Sequence, residues 1–341
     1  MVEIVACCDA DPKRAERAAA SVAEWSPAAT PYTDLDGLLA EERLDAAFNL
    51  TPAPAHGAVT RTVLEAGLHV FSEKPIASTM AEADALIELA RERGSHLICA
   101  PAVAVTPRFR WLAEIVASDR FGRLTLAVAH HADPGPASWR EYTGDPTVFY
   151  GRGVGPLVDH GIYRLHGLTM LMGPVRRVQA MGSIGIPTRV VRGGPLAGRT
   201  IEVTAPDHML INLEFAGGAI GQLLASFGTP ATQAPWLELH FERGTISFPA
   251  GSQYDRHAGP SIYVDDDSPL GLEGWTHETR PPPPDDAIDL VEMGPAHFIA
   301  VLRGEEAPVL SAEHARHVLE IMLAASASID DGESHAVSTA F

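Results

Sequence analysis

Lysine is almost missing from this chain. Of 25 basic residues only Lys13 and Lys74 are lysine, and the others are arginine. A lysine kept where arginine is the habit hints that the position needs an amine. Positive charge is scarce altogether, because 44 acidic residues leave a formal net charge of −19. Nucleic acids and anionic membranes attract basic patches, so neither is expected as a partner. Cysteine is scarce too. Cys7, Cys8 and Cys99 form no C-x-x-C pair and no metal-ligand spacing. They read as buried free thiols of a protein in the reducing cytoplasm, and no metal is expected. No apolar run approaches the ~18 residues of a membrane span. No basic stretch followed by a long apolar core opens the chain, so no secretory signal is expected.

What is present suffices for one large or two ordinary domains: 341 residues, 46% hydrophobic and 20% charged. The first hundred alternate strand and helix. Residues 2–7 are an apolar run of strand length, and Asp11-Pro12 reads as an N-cap and first helical position. Further strands are expected at 30–32, 45–50, 68–72 and 96–100. Helices fall between them, with Gly67 and Gly94 as C-terminal stops and Thr79-Met80-Ala81-Glu82 as a capping box. This alternation predicts a parallel, doubly wound α/β sheet. After Pro101 the pattern changes. Strands at 124–131, 209–215, 219–227 and 236–241 mix polar with apolar positions, and helices are expected only near 108–117, 162–172, 294–303 and 312–326. An α+β domain on a large, open, mostly antiparallel sheet follows. The expected units are residues 1–101 and 102–341. Pro281 to Pro284 reads as a surface loop or spacer.

Two stretches carry chemistry. Phe71-Ser72-Glu73-Lys74-Pro75 closes a parallel strand, and ligands of doubly wound sheets bind at the carboxyl ends of strands. Taken alone it is a strand–helix turn with a surface lysine. However, Lys74 is one of two lysines, and the turn Thr51-Pro52-Ala53-Pro54-Ala55-His56 points to the same sheet edge. The second stretch is Gly153-Val154-Gly155-Pro156-Leu157-Val158-Asp159-His160-Gly161-Ile162-Tyr163. Asp159 and Tyr163, four apart, share a face if both lie at a helix start, and His166 then joins them. The alternative is an N-capping Asp beside a half-buried Tyr.

In this order, T-P-x-x-x-H, E-K-P and a glycine-rich approach to D-x-G-x-[H/Y] resemble the Gfo/Idh/MocA oxidoreductases, the family of glucose–fructose oxidoreductase and inositol dehydrogenase. The resemblance runs from about Ile4 to Gly332. Tyr163, where many members have His, is similar to the glucose–fructose oxidoreductase and dihydrodiol or xylose dehydrogenase branches. The resemblance implies a Rossmann dinucleotide-binding domain over 1–101 and a substrate-binding and oligomerisation domain over 102–341. It implies hydride transfer between NAD(P) and a carbinol of a sugar, sugar derivative, cyclitol or diol. Lys74, Asp159 and Tyr163 then become the catalytic residues. Thr51, Pro52, His56, Glu73, Lys74 and Pro75 line the cofactor, His56 and Pro75 beside the nicotinamide. Asp9 ends the opening strand, where a carboxylate bonds the ribose 2′-hydroxyl and repels a 2′-phosphate. That favours NAD over NADP, with Lys13 and Arg14 partly offsetting the repulsion. Trp139, Arg140, Asp159 and His160 are the substrate candidates, a packed surface ring being the alternative for Trp139. A homo-oligomer through the open sheet is also implied.

One family element is missing. Members begin with a strand, then G-x-G-x-x-G, then a helix. Gly151-Arg152-Gly153-Val154-Gly155 does not substitute, because it lacks the spacing and opens no helix from a first strand. Residues 3–5 are therefore expected to open the family's second strand, in a Rossmann domain clipped at its N-terminus. In the strand order 3-2-1-4-5-6 the absent strand is central. Residues 1–341 are then expected to bind dinucleotide weakly or not at all and to be aggregation-prone. Two other readings are a non-catalytic dinucleotide-dependent regulator and a structural subunit or inactive fragment. The joint presence of Lys74, Asp159 and Tyr163 argues for the enzyme.

Overall fold

In the computed structural model the described residues are 2–23, 25–26, 29–251, 259–265, 273–277 and 290–341. The proline run at 281–284 lies outside them. The alternating half folds as strand–helix units: β1 (Ala6–Cys8), α1 (Pro12–Val22), β2 (Thr30–Tyr32), α2 (Leu35–Glu41), β3 (Ala46–Asn49), α3 (His56–Glu65), β4 (His69–Ser72), α4 (Met80–Arg93) and β5 (Leu97–Cys99). Local signals set the ends. The Asp11 side chain caps α1 with Pro12 at its first position, and the Thr79 hydroxyl caps α4. Gly94 closes α4 in the left-handed region that glycine adopts without strain. The α4 stripe Ala83, Leu86, Ile87 and Ala90 is buried. A fully buried Leu such as Leu86 contributes roughly 1.5–3 kcal/mol.

Every ladder in this half is parallel, but the strands form two sheets, β1–β2 and β3–β4–β5. Among the described residues β1 and β3 share no ladder. One expectation fails here: Cys99 is buried, but Cys7 is only half-buried and Cys8 is exposed. The reason is that, among the described residues, β1 has a single strand neighbour and no second one covers its other edge.

The second half continues through α5 (Pro107–Ala117), β6 (Leu124–Ala132), α6 (Ile162–Met172), β7 (Val175–Ser183), β8 (Thr188–Val190), β9 (Thr200–Glu202), β10 (His208–Phe215), β11 (Ile220–Ser226), β12 (Leu237–Phe241), β13 (Gly244–Phe248), β14 (Ser261–Val264), β15 (Gly274–His277), α7 (Leu290–Leu302), α8 (Ala312–Asp331) and β16 (His335–Ala336). Nine of these strands make one sheet in the order β15-β14-β13-β12-β6-β11-β10-β7-β16. Only the β6–β11 pair is parallel. Period-two alternation divides its faces. On β10, Met209, Ile211, Leu213 and Phe215 point into the core beneath α6 and α8. The other face is open: Met181, Leu210 and Ile220 are exposed on it, Gln222 bonds Asn212, and Arg176 and Arg177 both reach Glu214.

The last helices return to the first half. Phe298 of α7 is fully buried against Phe48 and Phe71, with ring centroids 5.5 and 6.0 Å away. The Cys99 N–H donates to Leu310 O at 3.1 Å. A small separate core of Ala137, Tyr150, Val191, Ile201, Val203 and Phe227 anchors the loop after β6. Beside it the Arg189–Asp207 ion pair, 2.7 Å and almost fully buried, fixes the β8–β9 hairpin.

Candidate active site

The site begins at the carboxyl ends of β3 and β4. Asn49, the last residue of β3, is buried and its amide organises the turn that follows. Its Nδ2 donates to His56 O at 3.0 Å and Thr60 Oγ1 at 2.9 Å. Its Oδ1 accepts from the Thr51 N–H at 3.2 Å and hydroxyl at 2.7 Å. His56 is 1% exposed, with Nδ1 2.8 Å from Pro75 O and Nε2 2.6 Å from Thr51 O. It therefore bolts the turn holding Thr51 and Pro52 to the turn holding Glu73, Lys74 and Pro75. Its ring nitrogens are spent on backbone carbonyls, so its part is to position both turns. The Glu73 amide donates to Asn49 O at 2.9 Å, and its carboxylate accepts the Lys74 N–H at 3.2 Å.

Lys74 crosses to the second half of the chain. Its Nζ donates to Asp159 O at 2.7 Å and to Asp159 Oδ1 at 3.1 Å, with both side chains mostly buried. The same ammonium stands over the Tyr163 ring, 5.4 Å from its centroid. Burial of this kind is tolerated because each charge meets the other.

Asp159 lies in a π-type turn, Leu157–Gly161, that runs directly into α6. Such wide turns interrupt helical registry and gather at functional sites. The approach to it turns at Gly153 and Gly155, both at positive φ, and a Cβ on Gly155 would stand 3.2 Å from Pro206 O. The wide turn also corrects one expectation. His166 does not join Asp159 and Tyr163, but packs on His314 with ring centroids 4.7 Å apart.

His160 bridges outward from this pair. Its Nε2 is 3.6 Å from Asp159 Oδ2 and its Nδ1 is 3.3 Å from Asp133 Oδ2. Trp139 stacks on its ring at 5.5 Å, so Trp139 is packed and beside the site at once. Arg140, next to it, is exposed. His131, at the end of β6, places Nε2 3.3 Å from the same Asp133 oxygen. Burial pushes the His131 imidazole down to about 4. Burial alone would raise the Asp133 carboxyl, but the two imidazoles and the Gly135 amide outweigh it and hold it below the usual carboxylate range. Asp9 lies apart from this cluster, at the end of β1, where one carboxylate oxygen accepts the Asp11 N–H at 2.9 Å. Sequence reasoning missed Asn49, His131 and Asp133. Asn49 had one local signal, its place as the last residue before the Thr51-Pro52 turn.

Known proteins match both halves. Residues 1–100 match an oxidoreductase family with an NAD-binding Rossmann fold. Residues 109–247 match the GFO/IDH/MocA C-terminal domain. This chain belongs to the Gfo/Idh/MocA oxidoreductase family. As a Gfo/Idh/MocA protein it is 29% identical over 234 residues to an uncharacterized oxidoreductase of Synechocystis sp., covering 67% of this chain and 61% of that one. It is 27% identical over 224 residues to D-xylose 1-dehydrogenase (NADP(+)) 2 of Haloferax volcanii, covering 64% and 62%. Each match therefore spans less than two thirds of the relative's length. A levoglucosan dehydrogenase solved in complex with NADH and levoglucosan superposes with a TM-score of 0.78 at 20% identity, over 99% of this chain and 90% of that chain. An oxidoreductase domain protein from Kribbella flavida superposes at 0.80 and 20% identity, over 98% and 90%. Both share with this chain a Rossmann-like parallel sheet followed by a large mixed sheet. Among the described residues no helix is long and apolar enough to cross a membrane.

Proposed function

We propose that this protein transfers hydride between NAD(P) and a carbinol of a sugar, sugar derivative, cyclitol or related diol. The observation that carries the reading is the Lys74 ammonium, held by Asp159 at a strand carboxyl end and seated over Tyr163. An ammonium has three hydrogens. Two meet Asp159, and the third serves the substrate hydroxyl. There the charge stabilises the alkoxide that develops as the carbinol C–H bond breaks. Tyr163 takes the hydroxyl proton, and the nearby ammonium favours its phenolate form. Bound nicotinamide supplies the hydride acceptor. A compact point charge suits this role better than a planar guanidinium, in keeping with a lysine here. Trp139, braced on His160, gives the sugar an apolar ring face, and Arg140 stands at the rim.

The residues fit the two ends of a dinucleotide. Asp9 suits a ribose diol, which favours NAD, with NADP the alternative. The turns after β3 and β4, bolted by His56, suit the nicotinamide end. The fit stops at the pyrophosphate. Among the described residues no glycine-rich turn joins a strand to a helix, and the N-terminus of α1 already meets the Asp11 carboxylate. We assign dinucleotide binding to residues 1–101, and substrate binding to 102–341 with oligomerisation through the open sheet face. Three unpaired cysteines suit a cytoplasmic protein.

The test is formation of reduced nicotinamide from NAD or NADP with a panel of sugars and cyclitols, at millimolar dinucleotide to offset the missing pyrophosphate contacts. Lys74→Arg and Lys74→Ala should each lower kcat by ~10²-fold or more with circular dichroism unchanged. Turnover on no polyol, or near-wild-type turnover by Lys74→Arg, overturns the reading.

A further inference from the structure

The cluster of His131, Asp133 and His160 is more than a buttress for Asp159. One ligand atom from each residue lies within 4.8 Å of the others. His131 Nε2 and His160 Nδ1 are each 3.3 Å from the same oxygen, Asp133 Oδ2. An ion with bonds of about 2.0–2.2 Å to nitrogen and oxygen spaces adjacent ligand atoms about 3 Å apart. Each nitrogen already stands near that separation from the shared oxygen, and the two nitrogens lie within 4.8 Å of each other.

The second observation is what these nitrogens lack. Both are buried, and each stands 3.3 Å from Asp133 Oδ2 without making a hydrogen bond to it or to any other group. His131 is 5% exposed. Its ring and that of His160 lie 4.1 Å apart, tilted by 32°. Buried polar atoms in folded proteins nearly always have partners. Here two of them, on two different elements, converge on one carboxylate with none.

We propose that His131, Asp133 and His160 bind a divalent first-row transition ion. Two imidazoles and one carboxylate form a ligand set of the kind used for zinc, iron, cobalt or manganese rather than for calcium or magnesium. Three protein ligands leave the remaining positions open to water or to an oxygen of a bound molecule. The surrounding groups support one side of the site. Asp159 Oδ2 lies 3.6 Å from His160 Nε2, beyond hydrogen-bond distance but on the side from which a carboxylate orients a metal-bound imidazole. The His131 side differs, since its Nδ1 accepts from Arg164 Nη2 at 3.5 Å; a neutral ring then carries its proton on Nε2, so an ion bound there must displace that proton or break the Arg164 contact. Ion binding at this site should therefore be coupled to proton release and strengthen as pH rises. The site places a Lewis acid one residue from Asp159, and it rests on side-chain placement alone, whatever the substrate.

The experiment is a cobalt(II) titration of the full chain after treatment with chelator, followed by visible absorption, with a zinc(II) competition. One cobalt per chain should bind, displaced by zinc, with a nitrogen–oxygen ligand-field spectrum and no thiolate charge-transfer band. Asp133→Asn and His160→Gln should each weaken it 10-fold or more while circular dichroism stays native. His335→Gln alters a different His–carboxylate pair, the exposed one with Asp331, and should leave binding unchanged. No uptake of either ion, a thiolate band reporting the cysteines, or binding that survives Asp133→Asn in a folded protein overturns the proposal.

Discussion

Removing the Lys74 charge should cost stability as well as turnover, and restoring neutrality should recover part of it. Lys74→Met keeps the alkyl stem and deletes the ammonium. It strands the Asp159 carboxylate, whose side chain is 11% exposed, and it removes the cation from the Tyr163 face. Opposite charges 3.1 Å apart interact by about 5 kcal/mol at the effective dielectric of a partly wet site. Breaking a buried pair from one side costs roughly 3–5 kcal/mol. Asp159→Asn should cost less, about 1–2 kcal/mol, because Nζ keeps its 2.7 Å bond to the Asp159 carbonyl. The double variant carries no stranded charge. It should be no less stable than Lys74→Met alone and at least about 1 kcal/mol more stable than the sum of the two single losses. Urea unfolding followed by far-UV circular dichroism measures all four proteins. Additivity within about 0.5 kcal/mol would refute the coupling and leave the pair as two independent surface groups. Turnover should be lost in Lys74→Met and in the double variant alike, because the double variant restores charge balance without restoring a hydrogen-bond donor.

Tyr163→Phe should abolish the ionisation through which the oxidation rate rises with pH; a pH–rate profile unchanged in that variant would assign the proton to another group. Gly193→Ala should raise KM severalfold and leave dinucleotide affinity unchanged, since the new Cβ would lie 2.1 Å from the Arg140 carbonyl oxygen and push the loop carrying Trp139; an unchanged KM would remove that loop from substrate binding. Acid should weaken the protein through His314 and His317. Burial holds both at about 4 against an ordinary 6.5, and His166, packed on His314, is lowered as well. Groups depressed in the folded state contribute fully above pH 6.5, and that contribution is lost as pH falls toward 4, by about 3 kcal/mol for each of His314 and His317. Urea midpoints should therefore drop between pH 7 and pH 5, less steeply in His314→Gln, and midpoints flat across that range would contradict the burial argument.

Legibility in the sequence followed the range of the interaction. The caps of α1 and α4 and the parallel units were readable because each signal and its partner lie within a few residues. Lys74 was readable for a different reason, its rarity in a chain that otherwise uses arginine. The exposed Cys8 was misread because apolar composition reports that a strand can be buried and says nothing about whether a neighbour covers its edge. His166 was misread because a helical wheel counted from Asp159 assumes 3.6 residues per turn throughout; the π-type turn over Leu157–Gly161 breaks that count before α6 begins, and His166 packs on His314 of α8.

The Lys74–Asp159 bond spans 85 residues of sequence, and no spacing rule connects its ends. Only the resemblance to a family joined them. His131 and Asp133 had no such help. They sit at the end of β6 among residues that alternate across the sheet, two apart and so on the same side, while His160 comes from a turn that a different part of the chain lays against that strand end. Nothing in the local pattern of either stretch marks it as a ligand pair. What brings them together is the parallel β6–β11 ladder beneath α6, the one parallel pair in the nine-stranded sheet. Antiparallel neighbours are joined by short turns and keep sequence-near residues together, whereas a parallel pair needs a long crossover. That crossover carries the 133–161 loop and the start of α6 over the carboxyl ends of both strands. The same topological step therefore accounts for where the site lies and for why half of it was silent in the sequence.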